Sequence, residues 1–423
     1  MKRTCSLCWV GLLFTFTFQL VSVSQKAWAQ SPHAKFQVLY TFKGQRDGGN
    51  PAAGVIQDPD GNLFGITYDG GELSCTNGIF AGCGVVFKVD RTGHETVLYR
   101  FTGDPADGRN PCAGVIRDDS GNLYGTTCYG GANLYYGTVF KLDLSGHETV
   151  LHSFTGGADG GVPKASLARD AAGNLFGTTY YGGSGACNDG IGVGCGVVFK
   201  LDPSGKQTVL HNFTGGKEGA YPQGGGLLLD ATGNLYGTTS SGGDFGDGVV
   251  FELDSSGKET VLHQFAFPNN RRDGASPYGA FIRDAVGNLY GTTSYGGTTK
   301  YFGGTLFKVD HTGKERVLHS FGENGDGFSP DGLVKDTAGN FYGITLGNVE
   351  FNCSPQPGCG TVFKLDAAGK LTVLYTFTGV PDGAYPQVGL TRDNAGVLYG
   401  VTGFSGNQGC LGQGCGTVFK VMP

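Results

Sequence analysis

Of the 423 residues, 79 are Gly, 39% are hydrophobic and only 16% are charged. Glycine at this level without a three-residue period excludes collagen, and apolar content with so little charge excludes a disordered chain. The net charge of −6 argues against nucleic acid or an anionic membrane surface as the main partner.

Residues 1–29 read as a signal peptide outside the fold. Lys2 and Arg3 make a basic start, Trp9 to Val23 is largely apolar, and Ala27-Trp28-Ala29 is an A-x-A cleavage signal. The apolar stretch is short and rich in Ser and Thr, so no transmembrane segment is expected in the mature chain, residues 30–423. Cys5 and Cys8 precede that stretch and therefore do not form a lipoprotein acylation site. The chain stops at Pro423 directly after a strand, where no C-terminal anchor is expected. Export is the expectation: secreted, periplasmic or at the cell surface.

An isolated apolar run, Phe36 to Phe42, comes next. Behind it the phrase G-N-L-[FY]-G-x-T or a close variant begins at Gly61, Gly121, Gly173, Gly233, Gly287, Gly339 and Gly396. A period of 52–60 residues points to a propeller or a solenoid. Each copy carries four strand-like runs in one order, as in GVIRD (Gly114 to Asp118), GNLYGTT (Gly121 to Thr127), GTVFKLD (Gly137 to Asp143) and ETVLHSF (Glu148 to Phe154). Tight D-x-x-G turns join run one to two and run three to four, which forces antiparallel hairpins. The seventh copy ends at Val418 to Val421 without its fourth run, and the orphan run Phe36 to Phe42 is that missing piece. The pattern predicts an all-β fold. It is a seven-bladed β-propeller of four-stranded antiparallel blades, one domain, closed by the N-terminal strand completing blade seven. Closure removes the bare edges that an open array would expose.

Ten cysteines follow the leader. Cys75 and Cys83, Cys187 and Cys195, Cys353 and Cys359, and Cys410 and Cys415 each pair within one loop between a second and a third strand. Cys112 and Cys128 flank a hairpin. An even count, local pairing and an oxidising compartment favour five disulfides over zinc ligation or free thiols, because those loops contain no His. No metal and no cofactor are expected.

In such a blade the short D-x-x-G turns share one face. The strand-two-to-three loops and the interblade D-G-x-x-P segments (Asp47, Asp107, Asp159, Asp273, Asp326, Asp382, and Glu218 in the fourth) share the other. The repeated Asp is expected to cap its turn rather than ligate a cation. Function is expected on this variable loop face. Its aromatics supply the candidate binding residues Tyr129, Tyr181, Tyr221, Tyr278, Tyr295 and Tyr385, whose rings and hydroxyls suit sugar stacking or partner docking. No catalytic residue is assigned. His94, His147 and His311 belong to the plain turns. His152, His211, His263 and His319 share one place in the fourth strand with Tyr99 and Tyr375, which reads as space filling. Loop carboxylates (Asp69, Glu72, Asp189, Asp244, Asp247, Glu350) are left for an enzymatic alternative.

The repeat P-x-x-G-V-I-x-D-x-x-G-N-L-Y-G-T-T…V-F-K-L-D-x-x-G-x-x-T-V-L-x-x-F resembles NHL-type and streptogramin-lyase-type propellers. More specifically, from Phe36 to Val421, it resembles the GloVer tandem-repeat (choice-of-anchor) proteins. That resemblance implies an exported bacterial propeller with no established activity. The lyase-type resemblance implies a catalytic His and Glu on the inner strands and functional face, where this sequence offers no His. The expected function is a monomeric binding or interaction module for glycans or an extracellular protein partner. The alternatives are a structural cell-envelope protein without a small ligand, or a lyase or glycosidase using loop carboxylates.

Overall fold

The computed structural model describes residues 34–75, 81–190, 192–270, 272–347, 358–406, 410 and 414–423. The expected signal peptide, Glu350 and Cys353 lie outside the described residues. Within them there are 31 β-strands and no helix, hence no helix long and apolar enough to cross a membrane. The strands make seven antiparallel sheets in a ring, a seven-bladed β-propeller. Blade two shows the plan. Its outer three strands are Leu123–Gly130, Thr138–Leu142 and Glu148–Ser153, and its inner strand is split into Gly108–Pro111 and Ile116–Arg117. In blades five and six the inner strand is continuous, Gly274–Arg283 and Pro330–Lys335.

Lys35–Thr41 pairs antiparallel with Thr417–Met422, which pairs with Leu398–Phe404, so the N-terminal strand is the outer strand of blade seven. It also carries the bulge found at the same place in the other six outer strands: between Val38 and Tyr40 here, between Val150 and His152 in blade two.

Two repeated residues explain how blades stack. The second Gly of G-N-L-Y-G lies under the Phe of V-F-K; a Cβ on Gly125 would stand 2.6 Å from the Phe140 ring. The Phe ending each outer strand meets the next blade's V-F-K Phe edge to face or tilted, at 5.0–5.2 Å between centroids in all seven interfaces. All fourteen rings are fully buried. The Phe42–Phe87 and Phe377–Phe419 contacts carry this belt across the closure.

The last Thr of each G-x-T motif is a buried stitch. Thr127 Oγ1 donates to the Tyr129 carbonyl (2.8 Å) and accepts from the Thr138 N–H (3.1 Å). Its six counterparts are likewise fully buried. On the plain face, the Asp118 carboxylate accepts from the Asn122 backbone and side chain, both at 2.8 Å, closing the D-x-x-G-N turn by its own side chain.

Candidate functional site

The loop face is organised by one backbone hydrogen bond made seven times. The residue before each interblade Pro is left-handed: Asn50, Asn110, Val162, Tyr221, Ser276, Ser329 and Tyr385 have φ between 50 and 58°. For residues with a Cβ this conformation costs on the order of 1–2 kcal/mol, so something must hold it. What holds it is the N–H of that residue, which donates to the loop residue two places before the third strand of the preceding blade. The acceptors are the carbonyls of Cys415, Cys83, Tyr136, Cys195, Asp247, Gly303 and Cys359. Four of these seven are the second cysteine of a loop pair.

The disulfides therefore fix the carbonyls on which the interblade segments hang. Cys75–Cys83, Cys187–Cys195 and Cys410–Cys415 are bonded, with Cα separations of 5.6, 5.0 and 5.3 Å, as is Cys112–Cys128 at 5.9 Å. Cys359 is also disulfide-bonded. In blade two, where the loop has no cysteine, the Tyr136 ring packs on Gly156, the counterpart of Gly103, which packs on Cys75 and Cys83.

The Asp of each D-G-x-x-P does cap its turn, and the outer-strand His or Tyr is its partner. Tyr40, Tyr99 and Tyr375 donate to Asp47, Asp107 and Asp382 at 2.8, 3.1 and 2.6 Å. His319 Nε2 lies 2.9 Å from Asp326, and His152 and His263 lie 3.4 Å from Asp159 and Asp273. Apart from His152, whose Nε2 makes no hydrogen bond, these residues are hydrogen-bonding partners at the rim, beyond the space filling that their alternation suggested. Two rim clusters, His211–Glu218–Glu259 and His263–Asp273–Glu315, each bring three metal-ligand atoms within 4.8 Å of one another.

The residue after each interblade Pro lies on the inner, axial side of its blade and differs in every blade but two: Ala52, Cys112, Lys164, Gln223, Tyr278, Asp331 and Gln387. Ala52, Cys112, Lys164 and Tyr278 wall an axial cavity of 290 Å³ to which six blades contribute. Larger clefts of 500 and 650 Å³ open between blades on the plain face, walled by the repeated turns. At the axial mouth Lys164 Nζ sits 3.7 Å over the Tyr180 ring, which stacks on Tyr221 (4.9 Å, 22°) and meets Tyr181 edge-on at 4.7 Å. The Tyr181 hydroxyl donates to Asp189 at 2.8 Å. Burial pushes the Lys164 pKa down, with Asp189 opposing. Burial, then Asp331 and Tyr180, raise that of Tyr278. Asp331 is buried; one oxygen accepts from the Gly332 N–H at 2.6 Å and the other has no hydrogen-bond partner. Burial lifts its pKa to about 7.

The six tyrosines singled out from sequence fare differently. Tyr181 and Tyr221 join this cluster, and Tyr278 adjoins it across the cavity. Tyr129 packs beside them with the Arg109 guanidinium 5.7 Å from its ring. Tyr385 meets Phe404 edge-on at 5.8 Å in blade seven, and Tyr295 stands apart, 51% exposed. Lys164, Tyr180 and Asp189 complete the mouth, and Asp331 lies buried against Gly279, next to Tyr278. Lys164 and Asp331 were missed because the signal for them is positional, the one place per repeat where the copies disagree.

No curated protein matches the chain. Among solved structures it is similar to virginiamycin B lyase from Staphylococcus aureus (11% identity, 92% of this chain and 99% of that one, TM-score 0.57). It is also similar to a copper-bound fungal alcohol oxidase of the AA5 family (16%, 92% and 76%, TM-score 0.57). A third is PorZ, a bacterial surface component of the type-IX secretion system of Porphyromonas gingivalis (16%, 90% and 47%, TM-score 0.51). At these identities the likeness is one of fold. The Gloeobacter/Verrucomicrobia repeat model matches residues 28–192 and 185–355, well over half the sequence, and the chain belongs to that repeat family.

Proposed function

We propose that this propeller is an exported monomeric binding module that takes an extracellular glycan, free or carried by a protein partner, at the axial mouth of its loop face. The observation carrying this reading is the Tyr180–Tyr221 stack with Lys164 above it, opening beside the 290 Å³ cavity. Half-buried tyrosine rings offer apolar surface to sugar C–H groups, while Lys164 and the tyrosine hydroxyls supply donors and acceptors around them. Disulfides on the loop face suit an oxidising compartment, in keeping with export. Among the described residues no His stands with the mouth residues, which favours binding over acid–base turnover.

A glycan array probed with the mature chain tests this. A saturable hit should weaken by about 1–3 kcal/mol, roughly 5- to 150-fold, in Tyr221→Ala and in Lys164→Ala. Tyr295→Ala should leave it unchanged. Turnover of the hit would make the protein an enzyme, and a uniformly negative array would leave the structural envelope role.

A further inference from the structure

We propose that the crevice between blades three and four is a divalent-cation site suited to Zn²⁺, with His211, Glu218 and Glu259 as its protein ligands. His211 lies on the outer strand Gln207–Asn212, Glu218 in the turn leaving blade three, and Glu259 opens the outer strand Glu259–Gln264 of blade four. One ligand atom from each falls within 4.8 Å of the other two. The Glu259 side chain is 7% exposed and that of His211 13%, and His211 Nε2 stands 3.9 Å from a Glu259 oxygen. Both His211 Nε2 and Glu259 Oε1 are buried without a hydrogen-bond partner. Glu95, Glu148 and Glu315 leave the equivalent oxygen unpartnered, as His152 leaves its Nε2, but among the described residues only here do a His and a Glu orphan share one interface. Buried polar atoms are ordinarily paired, so two orphans converging on one point, with a second carboxylate beside them, describe a coordination shell lacking its centre.

The seven interfaces of the ring serve as internal controls. Five lack the full set. Tyr40 and Tyr99 stand in place of His opposite Glu95 and Glu148. His152 faces Gln207, His319 has Leu371 where Glu would be, and Tyr375 stacks on Phe36 at 3.8 Å. The sixth, His263–Asp273–Glu315, has the ligand types, but its Asp is spoken for: Asp273 accepts from the backbone N–H groups of Gly274 and Ala266 at 2.8 and 3.1 Å. Only in the crevice at Glu218 does Glu replace Asp. The longer side chain makes no bond to the turn backbone among the described residues, accepts from the Thr214 hydroxyl at 3.0 Å, and reaches the crevice instead.

The donor set suits the ion. Imidazole nitrogen with two carboxylates is a set that Zn²⁺ takes, at about 2.0–2.2 Å per bond, with water in a fourth position. Tetrahedral bonds of that length put ligand atoms about 3.3–3.6 Å apart, so contraction from the present spacing requires only side-chain rotation. A dication would balance the two carboxylates.

The test is calorimetric titration of EDTA-dialysed mature protein with ZnCl₂. One saturable equivalent is expected, weakened at least tenfold by His211→Tyr and by Glu259→Gln. His319→Tyr and His263→Tyr should bind as the parent does. Tyr99 occupies the position equivalent to His211 in blade one, so His211→Tyr is compatible with the fold, and unchanged thermal melts of the EDTA-treated variants verify this. No saturable uptake by the parent overturns the assignment. So does parental affinity in His211→Tyr, whether or not Glu259→Gln folds.

Discussion

If the ring is closed by its first strand, then Phe42→Ala should destabilise the protein as much as the same change deep in the chain. Phe42 is fully buried, its ring 5.0 Å from Phe87 and 5.1 Å from Tyr40, and its N–H donates to the Gly416 carbonyl at 3.1 Å. Phe213 has the same surroundings in blade three: fully buried, 5.2 Å from Phe251, its N–H bonded to Gly196 at 3.1 Å. Removing a buried Phe costs about 3–5 kcal/mol, a large share of the roughly 5–15 kcal/mol that separates folded from unfolded protein. A strand that merely leaned on a complete six-and-three-quarter-blade ring would detach and spare the rest, so its mutation would register little of that cost. Urea unfolding gives the comparison. Both tryptophans, Trp9 and Trp28, fall within residues 1–29, so backbone circular dichroism replaces indole fluorescence for residues 30–423. Phe42→Ala and Phe213→Ala should agree within about 1 kcal/mol, and each should cost about 3–5 kcal/mol. Deleting residues 30–43 should yield oligomers, because it bares Thr417–Met422 as an apolar edge. A Phe42→Ala cost under about 1 kcal/mol beside a full cost for Phe213→Ala would refute closure by backbone pairing, as would a deletion variant that stays monomeric and melts like the parent.

Peptide mapping of mature protein from an oxidising compartment should recover Cys75–Cys83, Cys112–Cys128, Cys187–Cys195 and Cys410–Cys415, with no links between loops; inter-loop links would contradict the pairing. The pH dependence has a definite sign. Burial, the leading cause in each case, raises the pKa of Glu95, Glu148, Glu315 and Asp331 to about 7 and of Glu259 to about 8. Unfolded carboxyls titrate near 4, so the folded chain keeps protons that the unfolded chain has lost. The stability this confers is fully present below about pH 4 and is lost as pH rises through 7 to 8. With EDTA present, the urea midpoint should fall between pH 5 and 8.5, and Asp331→Asn should fall less than the parent. A midpoint that rises across that window would be the contrary result.

The repeat phrase exposed the fold because each of its letters answers a separate physical demand. Gly125 must admit the Phe140 ring, Asp118 must close its own turn, and the strand-like run at Phe36 has no partner except blade seven. The cysteines were equally legible, since residues 5 to 16 apart inside one loop or hairpin have few other partners. The outer-strand His was misread for a chemical reason. His and Tyr differ in shape but both carry a hydrogen-bonding atom at the far end of the ring, so their alternation preserves the contact to the interblade Asp rather than a volume. Thr127 gave no signal beyond its recurrence, because a buried hydroxyl stitch and a solvent-facing β-former look alike in sequence. At the mouth, ranking by residue type favoured tyrosines wherever they fell in the loops, and so admitted Tyr295 while passing over Lys164 and Asp331.

The division of labour within each repeat accounts for why the axial positions can differ. An inner-strand residue in an ordinary sheet is constrained by packing and by the path of its own backbone. Here the path is set two residues earlier, by a left-handed residue whose N–H hangs on a loop carbonyl, and in five of the seven blades that carbonyl is held by a disulfide or by Tyr136 packing on Gly156. The backbone conformation is thus imposed from outside, so the side chain that follows the Pro need not contribute to it. Ala52, Cys112, Lys164, Tyr278 and Asp331 can then share one backbone setting although they differ in size and charge, and Asp331 can keep a buried oxygen unpaired. The same logic explains why Asn, Val, Ser and Tyr all serve before the Pro, although a β-branched residue such as Val162 is especially ill suited to a left-handed conformation. A scaffold of this kind separates the cost of holding the loops from the choice of what they present. The presented residues are therefore where ligand chemistry is free to vary between blades.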